Sequence, residues 1–205
     1  MTVFYLVRHG VTAHTGHRLS GWIPGIHLTD EGRAQAEATA EMLEPVPFKA
    51  IYSSPIERTM ETAAPIARLH KLQVIETPKL GEVEYGKWSN RSFKTLVKTK
   101  LWDKVQRYPS GVRFPDGETL REVQTRAVEE IESIAERHRK QIVCCVSHAD
   151  VIRLLAAYYL GVHIDLFQRL TVAPASVSVI SLNDGRPLVV TLNSSPMNSS
   201  KGKPK

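Results

Sequence analysis

Arg8-His9-Gly10, Ser53-Ser54-Pro55 with Arg58, and Ser147-His148 lie far apart in a 205-residue chain. Each nevertheless follows a short apolar run with the character of a β-strand. Together they supply two guanidinium groups and two imidazoles. Such a set suits a phosphoryl group: planar guanidinium forks match its equatorial oxygens, an imidazole can attack or donate, and a helix N-terminus adds partial positive charge. Gly10 would let the backbone approach a ligand closely. A carboxyl group must also handle a proton near neutral pH, and Glu82 and Glu84 share one loop.

These residues need a scaffold that brings strand ends together, and the chain alternates strand-like with helical stretches. Thr2 to Val7 is a β-prone run of the kind buried on both faces in a parallel sheet. Thr29 predicts the cap of a helix reaching about Leu43, with Asp30 and Glu31 in its first turn. Ala50 to Ser53 reads as a strand. Ser54-Pro55-Ile56-Glu57 reads as an N-cap, a first-turn Pro and a capping-box Glu for a helix to about His70. A strand near Leu72 to Glu76, a loop around Gly81 to Trp88 and a helical stretch from about Phe93 to Arg107 follow. Thr119-Leu120-Arg121-Glu122 is a second capping box, and Leu120, Val123, Ala127, Ile131 and Ile134 behind it mark an amphipathic helix. Gln141 to Ser147 is an apolar strand, Asp150 to Leu160 a helix closed by Gly161, and Ser176–Leu182 and Leu188–Leu192 a strand pair around Asn183-Asp184-Gly185. The alternation predicts an α/β three-layer sandwich, a mostly parallel central sheet with helices on both faces. In such sheets the site lies beyond the carboxyl ends of the strands, where the Arg and His residues fall.

Leu6-Val7-Arg8-His9-Gly10, Ser53-Ser54-Pro55 with Arg58-Thr59 and Thr62-Ala63, Leu80-Gly81-Glu82 with Gly86 and Trp88, Pro115-Asp116-Gly117-Glu118-Thr119, and Val146-Ser147-His148 with Val151-Ile152-Arg153 occur in this order. The chain resembles, over about Val3 to Leu192, the histidine phosphatase superfamily, and within it the phosphoglycerate-mutase-like branch, branch 1. The resemblance implies that His9 takes the phosphoryl group and becomes phosphohistidine, that Arg8, Arg58 and His148 clamp that group, and that Glu82 is the general acid and then base. Glu84 is the reserve candidate. It implies a phosphatase acting on a small phosphomonoester, with no metal and no cofactor. A phosphoglycerate-type phosphomutase and a catalytically silent phospho-ligand binding module on the same fold are the alternatives; retention of His9 and Glu82 together speaks against the second.

The chain departs from the family pattern just outside the phosphate motif. Val11, His14-Thr15 and Ser20 stand where the family often carries an acidic residue, Trp-Asn, and Gln or Thr, with one residue fewer before Arg18. Thr12, Arg18, Ser20 and Glu84 are therefore the candidates for substrate contacts, together with His14, His17 and His27. Those histidines lack a Cys or acidic partner at metal-ligand spacing. The insertion 89–114 is shorter than in typical cofactor-dependent mutases, which favours a phosphatase open to water.

Composition bounds the rest. The chain carries 27 Lys plus Arg against 21 Asp plus Glu, a formal charge of +6, and 42% hydrophobic residues. That is enough for one core and excludes a collagen-like or wholly disordered chain. No apolar run approaches a membrane span, and adjacent Cys144 and Cys145 make no disulfide framework, so a cytoplasmic protein is expected. Residues 194–205 hold three Lys and no acid and read as a disordered basic tail to a single 1–193 domain. Subtracting these lysines leaves +3 on the body, too little for a nucleic-acid binder. The expected partner is a small phosphorylated metabolite, with neither nucleic acid nor membrane; a homodimer is left open. From Lys87 to Arg107 seven basic residues face one acid, Asp103. That run reads as a solvated helix face, or as a surface that steers anions.

Overall fold

The computed structural model describes residues 1–183 and 186–196. Six strands form one sheet: β1 (Thr2–Arg8), β2 (Ala50–Ser53), β3 (Val74–Glu76), β4 (Ile142–Ser147), β5 (Val177–Asn183) and β6 (Arg186–Ser194). Their order is β3-β2-β4-β1-β5-β6. The first four strands in that order run parallel, and β5 and β6 add antiparallel strands on the other side of β1. The fold is thus the α/β sandwich the alternation predicts.

Alternation along each central strand sorts side chains between two cores. Phe4, Leu6, Tyr52, Val143 and Cys145 face helices α5 (Leu120–Arg137) and α6 (Ala149–Leu160). Val7, Ile51, Cys144 and Val146 face α1 (Asp30–Leu43) and α2 (Glu57–His70). The two adjacent cysteines therefore lie in opposite cores, both free and fully buried, and burial pushes their thiols up. Leu120, Val123, Ala127, Ile131 and Ile134 of α5 are all buried, and the Thr119–Glu122 capping box is present in both directions.

Register decides where the site forms. Arg8 pairs with Ser147 and Ser53 with Val146, so β1, β2 and β4 end level with one another. Two sequence expectations need correction. Ser54 does not cap α2: the N-cap is Ile56, without a side-chain bond, and Glu57 instead accepts from Gly25 N at 2.9 Å. The helix expected over 93–107 is two, α3 (Phe93–Leu96) and α4 (Lys100–Arg107), because Thr99 breaks the run to cap α4. At Gly10 the backbone also lies close against α1, since a Cβ there would sit 2.5 Å from Gly32 O. Asp184 and Gly185 of the expected turn, and residues 197–205 of the expected tail, lie outside the described residues.

Candidate active site

His9 leaves the end of β1 only 6% exposed. Its Nδ1 is 2.7 Å from Gly10 O, an acceptor, so Nδ1 carries the proton and donates it there. The Nε2 lone pair is left facing Arg58, whose Nε donates to it at 3.3 Å. Burial, then the charges of Arg58 and Arg8, hold the imidazole well below the ordinary histidine range, so it is neutral at pH 7.

Arg58 is fully buried in the first turn of α2. It also donates through Nη2 to Gly21 O at 2.9 Å and to His148 Nδ1 at 3.3 Å. His148, fully buried at the N-cap of α6, therefore accepts at Nδ1 and donates from Nε2 to Ser54 Oγ at 2.9 Å. Ser54 is drawn away from a capping role by this bond. Burial, followed by Arg58, keeps His148 neutral as well. Arg8 donates through Nη1 to Val172 O at 2.7 Å. Two buried guanidinium nitrogens, Arg8 Nε and Arg58 Nη1, have no partner among the described residues. Each such unmet donor costs about 1–3 kcal/mol, which an incoming anion's oxygens would offset.

Glu82 completes the group. Its Oε1 accepts from Val83 N at 2.9 Å and its Oε2 lies 3.7 Å from His148 Nδ1. Burial, reinforced by the Asp150 carboxylate, pushes its acid up to about 7 against the opposing pull of Arg58 and Arg8. It can therefore exchange a proton at neutral pH.

Beside these residues opens a cavity of about 380 Å³ that Arg8, His9 and Glu82 line; Thr12, Arg18 and Ser20 line it too. Arg58 and His148 are brought to His9 without forming part of the open wall. Glu84 is not brought there: one residue either side of it, Val83 and Tyr85, is buried, Glu84 points to solvent, and its backbone is tied to Glu118. The predicted histidines disperse as well. His27 bonds Glu61 on α2, His17 is exposed, and His14 is absent from the wall. Among the described residues no group of three or more His, Cys, Asp or Glu gathers to hold a metal ion.

Sequence reasoning missed the far wall. Leu19, Tyr85, Trp88, Phe93, Trp102 and Phe114 line it, with Asp150 and Arg153 at its polar side. Trp88 and Trp102 stack with ring centroids 6.0 Å apart. Asp150 stands two residues after His148 at a strand end, and the strand-end rule that found His148 would have found it. The wall aromatics carry no such signal, since they stand on loops and short helices away from any strand end.

This geometry agrees with what the chain resembles at large. Residues 4–195 match the histidine phosphatase superfamily (branch 1). The chain belongs to that family. It is 32% identical to phosphoserine phosphatase 1 of Hydrogenobacter thermophilus, over 81% of this chain and 80% of that protein. It is 30% identical to the 2,3-bisphosphoglycerate-dependent phosphoglycerate mutase of Thermoplasma acidophilum, over 98% of this chain and 96% of the mutase. The solved structure of Bacillus stearothermophilus YhfR superposes with a TM-score of 0.87 at 28% identity, covering 93% of this chain and 96% of YhfR.

Proposed function

We propose that this chain is a phosphatase that hydrolyses a small phosphomonoester through phosphohistidine. One observation carries the reading: a buried neutral imidazole, its proton committed to Gly10 O, presents Nε2 beside two unpartnered guanidinium donors. In the first step His9 Nε2 attacks phosphorus, the bond to the leaving oxygen breaks, and Glu82 gives that oxygen its proton. In the second, the Glu82 carboxylate takes a proton from water, the water oxygen attacks phosphorus, the P–N bond breaks and inorganic phosphate departs. Arg8, Arg58 and His148 hold the phosphoryl oxygens throughout, supplying the charge stabilisation that a metal gives elsewhere.

The cavity supports a leaving group with an apolar face, because half-buried Leu19, Phe93 and Trp102 lie in its wall. Its size suits a small ligand. Exposed Gly16, Arg18, Gln106 and Gln168 at its rim leave the phosphoenzyme open to water, which favours hydrolysis over mutase retention of an intermediate. Free buried thiols fit a reducing cytoplasm, and among the described residues no helix is long and apolar enough to cross a membrane.

The test is phosphate release from phosphorylated sugars, glycerates, amino acids and aryl or arylalkyl alcohols, with chelator present. Release is expected, with acid-labile label trapped on His9 and a loss of at least about 10³-fold in His9→Ala. No release from any compound, or loss on chelation, contradicts the mechanism. Isomerisation of a phosphoglycerate that depends on the bisphosphate would assign a mutase instead.

A further inference from the structure

Glu82 lies on a stretch that joins no strand, yet it is buried, so its peptide groups must find partners elsewhere. Side chains provide them. Arg126 of α5 donates through Nη1 to Lys79 O at 2.7 Å and Gly81 O at 2.9 Å, and through Nη2 to Glu82 O at 3.0 Å. Its Nε and Nη2 meet the two oxygens of Glu118 at 2.8 and 2.9 Å. All five guanidinium protons are thereby engaged. Trp22 Nε1 also donates to Glu82 O, at 2.6 Å, and Ser147 Oγ to Leu80 O at 2.6 Å. Glu118 clasps the chain beyond, accepting from Glu84 N and donating its own N–H to Glu84 O, both at 2.9 Å. Gly81 permits the arrangement, since a Cβ there would run into the Trp22 ring. Arg126, Glu118 and Trp22 are all absent from the cavity wall.

We propose that Arg126, Glu118 and Trp22 form a clamp that positions the Glu82 carboxyl for proton transfer without touching substrate. The inference rests on Glu82 as the proton donor, argued above. The carboxyl follows the backbone because Oε1 is held by Val83 N, so a backbone shift is passed to the reacting proton. A misplacement of about 1 Å costs on the order of 10²-fold in rate. The groups facing the carboxyl itself are Arg8 from β1, Arg58 from α2, His148 and Asp150 at the start of α6, and Tyr85 from its own loop. Arg126 reaches the carbonyl, and its charge is matched by Glu118.

Two substrates separate positioning from general damage. An alkoxide needs a proton to leave, whereas 4-nitrophenolate leaves without one. In Arg126→Met, kcat/KM for 2-phenylethyl phosphate is expected to fall about 10²-fold and that for 4-nitrophenyl phosphate about tenfold less. The pH above which kcat/KM declines should move down, because a freed carboxyl reaches water and loses the burial that keeps it protonated. Loss of a positive charge alone would move that limb up. Arg126→Lys, which keeps the charge but lacks the fork, is expected to behave like Arg126→Met. Trp22→Phe removes one donor from Glu82 O and should change the same readouts in the same direction, and it decides the matter if Arg126 variants do not fold by thermal melting. Equal losses on both substrates with an unmoved limb, or a limb that moves up, overturn the clamp. Wild-type protein inactive on both substrates, or full activity in His9→Ala, overturns the phosphatase reading instead.

Discussion

The two ends of the cavity are built on different terms. At the inner end Arg8, His9, Arg58 and His148 come from the last residues of strands and the first turns of helices, and His9, Arg58 and His148 are at most 6% exposed. At the outer end Arg18 is exposed, Ser20, Phe93 and Trp102 are half-buried, and all stand on loops or on the short helices α3 and α4. Buried cations are costly unless every neighbour is set for them, so the inner end needs the fixed register of three parallel strands. The outer end touches water and is free to follow loop sequence. What the enzyme does to phosphorus is thus tied to the fold, and which ester it accepts is not.

The sharpest way to break this division is at Glu82, to which the proposed mechanism assigns the proton chemistry of the inner end. Glu82→Gln is expected to lower kcat/KM for an alkyl phosphate about 10²- to 10⁴-fold, and less for 4-nitrophenyl phosphate. A loss confined to KM would move Glu82 to the specificity side. The same variant carries a stability signature of definite sign. The Glu82 acid stands at about 7 in the fold, above its unfolded value, so between the two the folded chain binds more protons than the unfolded one. Stability contributed by the protonated form is therefore lost as pH rises through this window. Glu82→Gln should melt above wild type at pH 8, and the gap should close by about pH 4. His9 and His148 act oppositely: held neutral in the fold, they lower stability as pH falls below about 6.5 and the unfolded chain takes up protons.

Legibility in the sequence followed the same division. Arg8, His9 and His148 sit at the ends of short apolar strands, where local pattern and α/β topology coincide, and Arg58 falls in the next helix's first turn. The Thr119–Glu122 capping box was legible because both its partners lie within four residues. Ser54 was misread as a cap because its hydroxyl is claimed by His148, 94 positions away in the chain. The division between Glu82 and Glu84 turns on an alternation of buried and exposed positions in a loop without regular structure, which no periodicity announces. Trp22 and Arg126 escaped for the same reason: their partners are backbone carbonyls of a distant segment, and a carbonyl leaves no mark in sequence.

The outer end is tested at Trp102, which stacks on Trp88 and packs at 5.8 Å against the Phe93 ring while remaining half-buried. Trp102→Ala should lower kcat/KM for 2-phenylethyl phosphate about tenfold, the scale of one lost apolar contact in a specificity pocket. Ethyl phosphate, which has no ring to pack there, should stay within about twofold. Equal losses on both esters, with an unchanged melting temperature, would mean that the aromatic wall orders the inner end and that the two ends are not separable.

The smallest effect concerns approach rather than contact. Of the seven basic residues from Lys87 to Arg107, Lys87 is paired with Asp116 and Arg107 with Asp103, each at 2.9 Å. Arg91, Lys94, Lys98, Lys100 and Lys104 have no ion pair among the described residues, and all five are exposed. Lys94 follows Phe93, which lines the cavity, and is itself absent from the wall. A phosphomonoester dianion arriving at the cavity is drawn by a field that reaches about 30 Å at 0.01 M salt and about 3 Å at 1 M. Replacing Lys94 and Lys98 together with Gln should lower kcat/KM about threefold at low salt, leave kcat unchanged, and have no effect at high salt. An unchanged kcat/KM at low salt would make this basic face plain solvated surface, and would leave the division between the two ends of the cavity complete without it.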